Sequence, residues 1–252
     1  MRVAALYDIH GNLPALDAVL AELSDEQLDV IVIGGDVVAG PQPSETIERL
    51  AALGPHVRFV RGNGDREVVA AYDAGRLRPE EETDYGAQTA AFTAARITPA
   101  QRDLLAAYEP TVELEVDGLG SVVFCHGSPR SDTEIITTAT ADERLREILA
   151  EVAQPTVVGG HTHRQFDRRI KGHRVINAGS VGSPYEGRAG AYWALLGPDV
   201  ALRRTEYDVV AACERLRRTG YPGIDEALRE SLTEPLDPDE VASIFERMAA
   251  AG

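Results

Sequence analysis

The sequence predicts a layered α/β domain, and two observations carry that expectation. Short apolar runs alternate with stretches of helical spacing through the first two-thirds of the chain, as strands and crossover helices do. Polar residues flanked by glycine close most of those apolar runs, and open α/β sheets bind ligands beyond the carboxyl ends of their strands. A chain of 252 residues can bury a sizeable core. It contains no internal repeat, low-complexity tract or convincing linker. The expected organisation is one domain over residues 1–206 with a helical extension, 207–252, packed on it.

VAALYD (3–8) reads as a buried strand, and LPALDAVLAEL (13–23) as a helix with apolar residues three and four apart. DVIVIGGD (29–36) is a second strand. SETIERLAAL (44–53) is a helix with Ser44 as its expected N-cap and Gly54 beyond its end. HVRFVRGN (56–63) is a third strand. Asn63-Gly64 would signal a hairpin elsewhere, but Val68, Val69 and Tyr72 follow at helical spacing. Strand, tight turn and helix is therefore the reading, with Asp65 as the expected cap. Residues 84–107 are amphipathic and helical with a break near Thr98-Pro99. TVELEVD and SVVFCH then flank a turn at Gly118, a helix covers 141–152, and PTVVGGHTH (155–163) is a further strand. A hairpin around Lys171-Gly172, a glycine-serine loop (178–190) and two more strands complete the β portion. The last 45 residues are helical and acidic.

Twenty-five basic residues stand against forty-one acidic ones, a net charge of −16. Such a surface repels phosphate backbones, so stable nucleic-acid or anionic-membrane binding is not expected. A small phosphorylated substrate is still compatible, because a metal ion inverts the field of an acidic pocket. No apolar run reaches the ~18 residues of a spanning helix, and the N-terminal apolar run is too short for a signal peptide. Cys125 and Cys213 lack metal-pair spacing. Cys125 is expected to face the core. A cytoplasmic protein is the default expectation.

The polar residues at the strand ends form a set. Asp8 and His10 follow the first strand, Asp36 the second and Asn63 the third; His126 ends SVVFC, and His161 and His163 end PTVVGG. Asp-x-His and His-x-His spacing puts both side chains on one side of an extended segment. Any one of these residues alone is more readily a structural histidine, a cap or a turn. Together they would be a row of desolvated carboxylates and imidazoles, costly without a cation. Imidazole, carboxylate and amide oxygen suit Mn, Fe, Zn or Ni better than Ca or Mg. Seven groups exceed one tetrahedral site, so two ions sharing a carboxylate is the economical reading.

DIH (8–10), GGD (34–36), GNGD (62–65), HG (126–127) and GGHTH (159–163) resemble, in order, the five blocks of the calcineurin-like metallophosphoesterases. NAGSVGSP (177–184) is similar to a loop of their small prokaryotic phosphodiesterase branch. The resemblance covers residues 3 to about 196. It implies a four-layer αββα sandwich of two mixed sheets, with a dinuclear centre at one edge of both. Carried over, Asp8, His10 and His163 bind one ion, Asn63, His126 and His161 the other, and Asp36 bridges. Manganese is the expected metal. A hydroxide formed between the ions would attack phosphorus in line with the leaving oxygen. Asn63 is then catalytic as well as a ligand.

The chain departs from the family at one place. Many relatives follow the Asn of the third block with a histidine acting as general acid, where this chain has Gly64. His56 and His173 lie at expected positions too distant to replace it. Diesters and other good leaving groups are therefore expected over alkyl monoesters, and Gly64→His is expected to raise monoesterase activity. Asn12, Gly64 and Arg130 are the candidate substrate contacts. For Asn12 a helix cap is the alternative, and for Arg130 an ordinary surface position. Tyr185 and Arg188 are candidates for the rim, and specificity is expected in 66–110, 127–140 and 180–190. A phosphomonoesterase or protein phosphatase is the alternative on the same scaffold. A non-catalytic module using its acidic tail for partners is the alternative from another class, although the complete ligand set opposes it.

Overall fold

The computed structural model describes residues 1–251. Two five-stranded mixed sheets lie face to face with helices outside them. The first has the order β10-β9-β1-β2-β3, formed by β1 (Val3–Leu6), β2 (Val30–Ile33), β3 (Val57–Phe59), β9 (Ala191–Leu196) and β10 (Val200–Thr205). The second runs β4-β5-β6-β8-β7, from β4 (Thr111–Val116), β5 (Gly120–Cys125), β6 (Thr156–Gly159), β7 (Phe166–Ile170) and β8 (His173–Asn177). Strands β1, β2 and β3 are parallel, as are β5, β6 and β8. Their carboxyl ends consequently gather at one edge of each sheet.

Side-chain alternation builds the layers. Along β1, Ala4 and Leu6 join the outer core under helix α1 (Leu13–Leu23) and helix α2 (Pro43–Ala51), while Val3 and Ala5 enter the core between the sheets. Strand β5 repeats the division, with Val122 and Phe124 between the sheets and Val123 and Cys125 towards helix α6 (Asp142–Ile148). Strands buried on both faces read as continuous apolar runs, which is why they were visible in the sequence.

Three local expectations are corrected. Pro43 occupies the first turn of α2, where its fixed φ suits the helix; Gln42 becomes the N-cap, and the Ser44 hydroxyl instead donates to Gln101 Oε1 at 3.1 Å. Strand β3 stops at Phe59, and Asn63 is the first residue of helix α3 (Asn63–Asp73) rather than a strand end. Asp65 does not cap that helix from outside. It lies inside the first turn, fully buried, and its carboxylate accepts from the N–H groups of Gly62 (3.1 Å), Val37 (2.9 Å) and Val38 (3.3 Å). One side chain thereby ties the loop after β2 to the start of α3.

Helices α4 (Tyr85–Ala94) and α5 (Pro99–Ala106) pack against α3 or its neighbours. The break between them is a capping box, with Thr98 accepting from Gln101 N–H and Gln101 accepting from Thr98 N–H. After β10, helices α7 (Val209–Arg217) and α8 (Ile224–Leu228), a π-turn (Arg229–Thr233) and α9 (Pro238–Ala251) follow. Glu246 of α9 accepts from Thr137 Oγ1 at 2.6 Å, and Asp239 pairs with Arg164 at 2.8 Å. No helix among the described residues is long and apolar enough to cross a membrane.

The Asp65 tie generates a stability prediction. Asp65→Asn replaces one acceptor oxygen by a donor facing a buried N–H, so it should cost about 1–3 kcal/mol. Urea unfolding followed by circular dichroism measures this, and an unchanged midpoint would contradict the tie.

Candidate metal centre

The site lies where the carboxyl ends of β1, β2, β5 and β6 meet the amino end of α3. Past the last residue of β1, its loop and the loop after β2 continue to bond: Asp8 N–H donates to Gly35 C=O (3.1 Å) and His10 N–H to Asp36 C=O (2.9 Å). Asp8, His10, Asp36, His161 and His163 all have positive φ, between 47° and 66°, and they are the only non-glycine residues among the described ones that do. A left-handed backbone costs a non-glycine residue of order 1–2 kcal/mol. Concentrating it on five candidate ligands shows that their turns serve the position of the side chains. This corrects the sequence argument, in which alternate residues of an extended strand faced one way. The Asp-x-His and His-x-His pairs converge through turns.

Gly35 makes the approach of the loops feasible. Its φ is +95°, and a Cβ there would stand 2.6 Å from Gly62 N and 2.7 Å from His126 Nδ1. The sheet ends therefore close over the site only with hydrogen at this position.

Three imidazoles are oriented the same way. His10 Nδ1 donates to Ala39 C=O (2.9 Å), His126 Nδ1 to Gly34 C=O (2.9 Å) and His163 Nδ1 to Ser183 C=O (2.6 Å). A carbonyl only accepts, so each Nδ1 carries hydrogen and each neutral ring presents an Nε2 lone pair to the centre. Asp8 Oδ2 accepts from His161 N–H and Asp36 Oδ1 from Gly64 N–H (2.7 Å), which leaves Asp8 Oδ1 and Asp36 Oδ2 facing the same space.

The inward atoms do not satisfy one another. His10 Nε2 and His163 Nε2 are 3.1 Å apart, and Asp8 Oδ1 lies 3.3 Å from His163 Nε2. Both carboxylates lie 3.8 Å from His10 Nε2, and Asp36 Oδ2 lies 3.5 Å from His126 Nε2. Ligands bound at about 2.0–2.2 Å to one ion stand about 3–3.6 Å from each other, close to this spacing. Asp8 Oδ1, Asn63 Oδ1 and His126 Nε2 are buried without a hydrogen-bond partner. Lone pairs converging in a buried space are costly, and a cation is what resolves them. The residues therefore fit divalent metal.

Donor atoms of Asp8, His10 and His163 all lie within 4.8 Å of one another, and so do those of Asp8, Asp36 and His126. Asp8 is common to both groups. His161 borders the second, its ring edge-on to His126 at 5.1 Å, and Asn63 lines the adjoining cavity together with Asp36. The seven sequence candidates for metal are thus gathered in one place. Asn12 reaches the rim as a cap, accepting from Ala15 N–H and donating to Gly182 C=O. Arg130 is not brought to the centre; it pairs with Glu134 and lines a separate groove. Gly64 is at the centre through its N–H on Asp36.

Adjoining the ligands is a cavity of about 400 Å³. Part of its wall comes from the tail, through Leu216, Tyr221, Ile224, Glu226, Leu228 and Glu230 among others, which the sequence reading did not connect with the site. The carbonyls of Gly34, Ala39 and Ser183 were missed as well, since backbone groups leave no composition signal.

Electrostatics without a bound cation explain the cluster's proton affinity. Burial opposes charge on His126, but the Asp36 and Asp8 carboxylates outweigh it and hold the imidazole at about 10. His163 is raised for the same reasons. Burial, aided by His126, pushes His161 down to about 4. Burial and then the charge of Asp36 push Asp65 up to about 7. Groups raised above their unfolded values lose their stabilising effect as pH rises, so metal-free protein should become less stable between pH 6.5 and 10. A divalent ion takes the proton's place and binds better as pH rises. Mn²⁺ should therefore raise Tm more at pH 8.5 than at pH 6.5, by scanning calorimetry. An equal shift at both would contradict competition with these imidazoles.

Comparison with known proteins agrees with this centre. Residues 1–196 match the family model of the calcineurin-like phosphoesterase superfamily domain. The crystal structure of a metallophosphoesterase from Sphaerobacter thermophilus is 27% identical and superposes with a TM-score of 0.73 over 93% of this chain and 98% of that one. An uncharacterised protein of Methanocaldococcus jannaschii is 25% identical over 241 residues, 87% of this chain and 93% of its own length. The symmetrical bis(5′-nucleosyl)-tetraphosphatase of Yersinia pestis is 28% identical over 151 residues, 59% of this chain but only 49% of that enzyme. With its five ligand blocks in place on two facing mixed sheets, the chain belongs to the calcineurin-like phosphoesterase superfamily, hydrolases of phosphoester bonds that use divalent metal ions.

Proposed function

We propose that this protein is a phosphodiesterase working through a dinuclear centre, and the observation that carries the reading is Gly64. Asp8, His10 and His163 would hold one ion, Asn63, His126 and His161 the other, with Asp36 between them and Mn²⁺ as the expected metal. When bound, the ions supply Lewis acidity towards the phosphate oxygens and an attacking water. The chain contributes orientation. The three Nδ1–H bonds to carbonyls hold the imidazoles in place, and the Gly64 N–H fixes Asp36 from the side away from the centre.

What the chain lacks is a titratable side chain at the position directly after Asn63, where it has Gly64. An alkoxide leaves poorly without a proton donor, whereas an aryloxide or a phosphate leaves without help. The tetraphosphatase similarity points the same way, since cleavage of a bis(5′-nucleosyl) tetraphosphate expels a nucleotide rather than an alkoxide. The substrate is a small phosphorylated molecule, as the net charge of −16 disfavours nucleic acid. Buried free thiols at Cys125 and Cys213 suit a reducing cytoplasm. Residues 207–252 belong with the catalytic domain on this reading, which is supported by Leu216, Tyr221, Glu226 and Glu230 lining its cavity.

Monoester hydrolysis is a second reading with one observation behind it. Glu67 lines the cavity one helical turn after Asn63, and burial pushes its carboxyl up. If it protonated the leaving oxygen, Glu67→Gln would slow alkyl esters far more than aryl esters. The proposed reading expects the aryl-to-alkyl ratio to stay as in the parent.

The central test compares Mn²⁺-loaded turnover of bis(p-nitrophenyl) phosphate with that of an alkyl phosphomonoester. The diester should be faster by about tenfold or more, and faster monoester turnover would overturn the proposal. Gly64→His alone is not a clean test. A Cβ at position 64 would meet Ala39 Cβ at 2.9 Å and Asp36 Oδ1 at 3.0 Å. The double variant Ala39→Gly/Gly64→His relieves the first contact and should gain monoesterase activity, while Gly64→His alone should lose metal affinity. Equal monoester rates in the parent and the double variant would remove Gly64 as the limiting feature.

A further inference from the structure

The cavity beside the ligands has an unusual lining for a phosphate enzyme. Among the described residues that form it there is no Lys or Arg, whereas Glu67, Glu226 and Glu230 all contribute. Three tyrosines join them, each from a different part of the chain: Tyr85 at the start of α4, Tyr185 in the loop after β8, and Tyr221 between α7 and α8. Tyr185 stacks on the ligand His163, with ring centroids 5.2 Å apart and planes at 16°. Tyr221 is held edge-on by Phe92 at 5.2 Å. Tyr85 lies against Gly223, where a Cβ would stand 2.7 Å from its Cε2. Aromatic walls and carboxylates thus begin at the metal ligands and continue into the tail.

The neighbouring arginines compensate this charge only in part. Arg229 lies 3.1 Å from Glu230 and 3.7 Å from Glu226, so one guanidinium serves two carboxylates. Arg66 reaches Glu67 only at 4.0 Å and is engaged by Asp132 at 2.8 Å. An anionic group entering the cavity meets repulsion, and a neutral one gains only apolar contact. A cation gains both the carboxylate field and contact with the tyrosine rings that line the cavity, the combination that recognises alkylammonium groups. The tail residues also lie beyond the matched family domain, which ends at residue 196.

Resting on the phosphodiesterase reading above, we propose that the cavity takes the alcohol portion of a singly charged phosphodiester, and that this portion carries an alkylammonium group. Tyr85, Tyr185, Tyr221, Glu226 and Glu230 bind it, so the C-terminal extension sets substrate class. Phosphate goes to the metal side and the cation to the tail side, which orients the ester bond between them.

The test uses two p-nitrophenyl phosphodiesters of equal shape, one of choline and one of its uncharged analogue 3,3-dimethylbutanol. Mn²⁺-loaded protein should show kcat/KM roughly tenfold higher for the choline ester. Glu230→Gln and Tyr85→Leu should each bring that ratio towards one, with folding verified by thermal melting. Choline chloride titrated into metal-free protein by calorimetry gives a readout independent of turnover; heat that disappears in Glu230→Gln is expected. Equal rates for both esters, with bis(p-nitrophenyl) phosphate still hydrolysed, would overturn the cation site and leave the phosphodiesterase intact. If no diester is hydrolysed the phosphodiesterase reading fails, and the calorimetry then decides: choline binding upholds the cation site and its absence overturns it.

Discussion

Two carboxylates and three imidazoles are held in a buried space with their lone pairs directed at each other, and much of the architecture around the site serves to keep them there. Asp8 and Asp36 cannot move apart, because each has its outer oxygen fixed by a backbone N–H, from His161 and Gly64. The imidazoles cannot turn away, because each Nδ1 is committed to a carbonyl. Such an arrangement is unfavourable unless protons or a cation sit among the lone pairs. The fold stores that mismatch in advance, so little reorganisation is needed when metal binds.

Holding the mismatch requires strain elsewhere, and the structure distributes it. Five ligand positions adopt left-handed backbone, stabilised by bonds between loops rather than within them. The loop after β8 is central to this. Ser180 Oγ donates to Asp8 C=O, Asn177 Nδ2 donates to Gly160 C=O, and Ser183 supplies the acceptor for His163. The glycine-serine segment that resembled a family loop is therefore the clamp that joins the first and last ligand turns. Asp65 performs the corresponding task between the second and third.

The tail gives the site its asymmetry. On one side the ligands rest on sheet ends and backbone amides. On the other they open onto tyrosines and glutamates from α4, the loop after β8 and the helices after β10. On the proposed reading, hydrolytic chemistry and substrate choice are carried by different parts of the chain. The matched domain supplies the candidate metal ligands, and the extension outside it supplies much of the cavity wall. Contacts of Glu246 with Thr137 and of Asp239 with Arg164 tie the end of that extension to the second sheet's loops.

Much of this was legible in the residue order. Both-face burial makes strands β1, β2, β5 and β6 continuous apolar runs, and ligands placed at the ends of such runs stand out as polar residues among glycines. Hence the alternation of strands with helices and all seven metal candidates followed from local pattern, while the four layers and two sheets came from the family resemblance. What local pattern left open was direction and partnership. Ser44 lost its cap because Pro43 starts the helix earlier. Asp65 turned out to bond across to Val37, and Arg130 to pair with Glu134. Tyr221, Glu226 and Glu230 were invisible as site residues. Their relevance depends on a chain reversal that brings positions more than fifty residues beyond His163 back to it, and no short-range periodicity encodes such long-range packing. Chemistry written in contiguous motifs could be read along the chain, whereas the shape and charge of the cavity arose only when separate segments packed together.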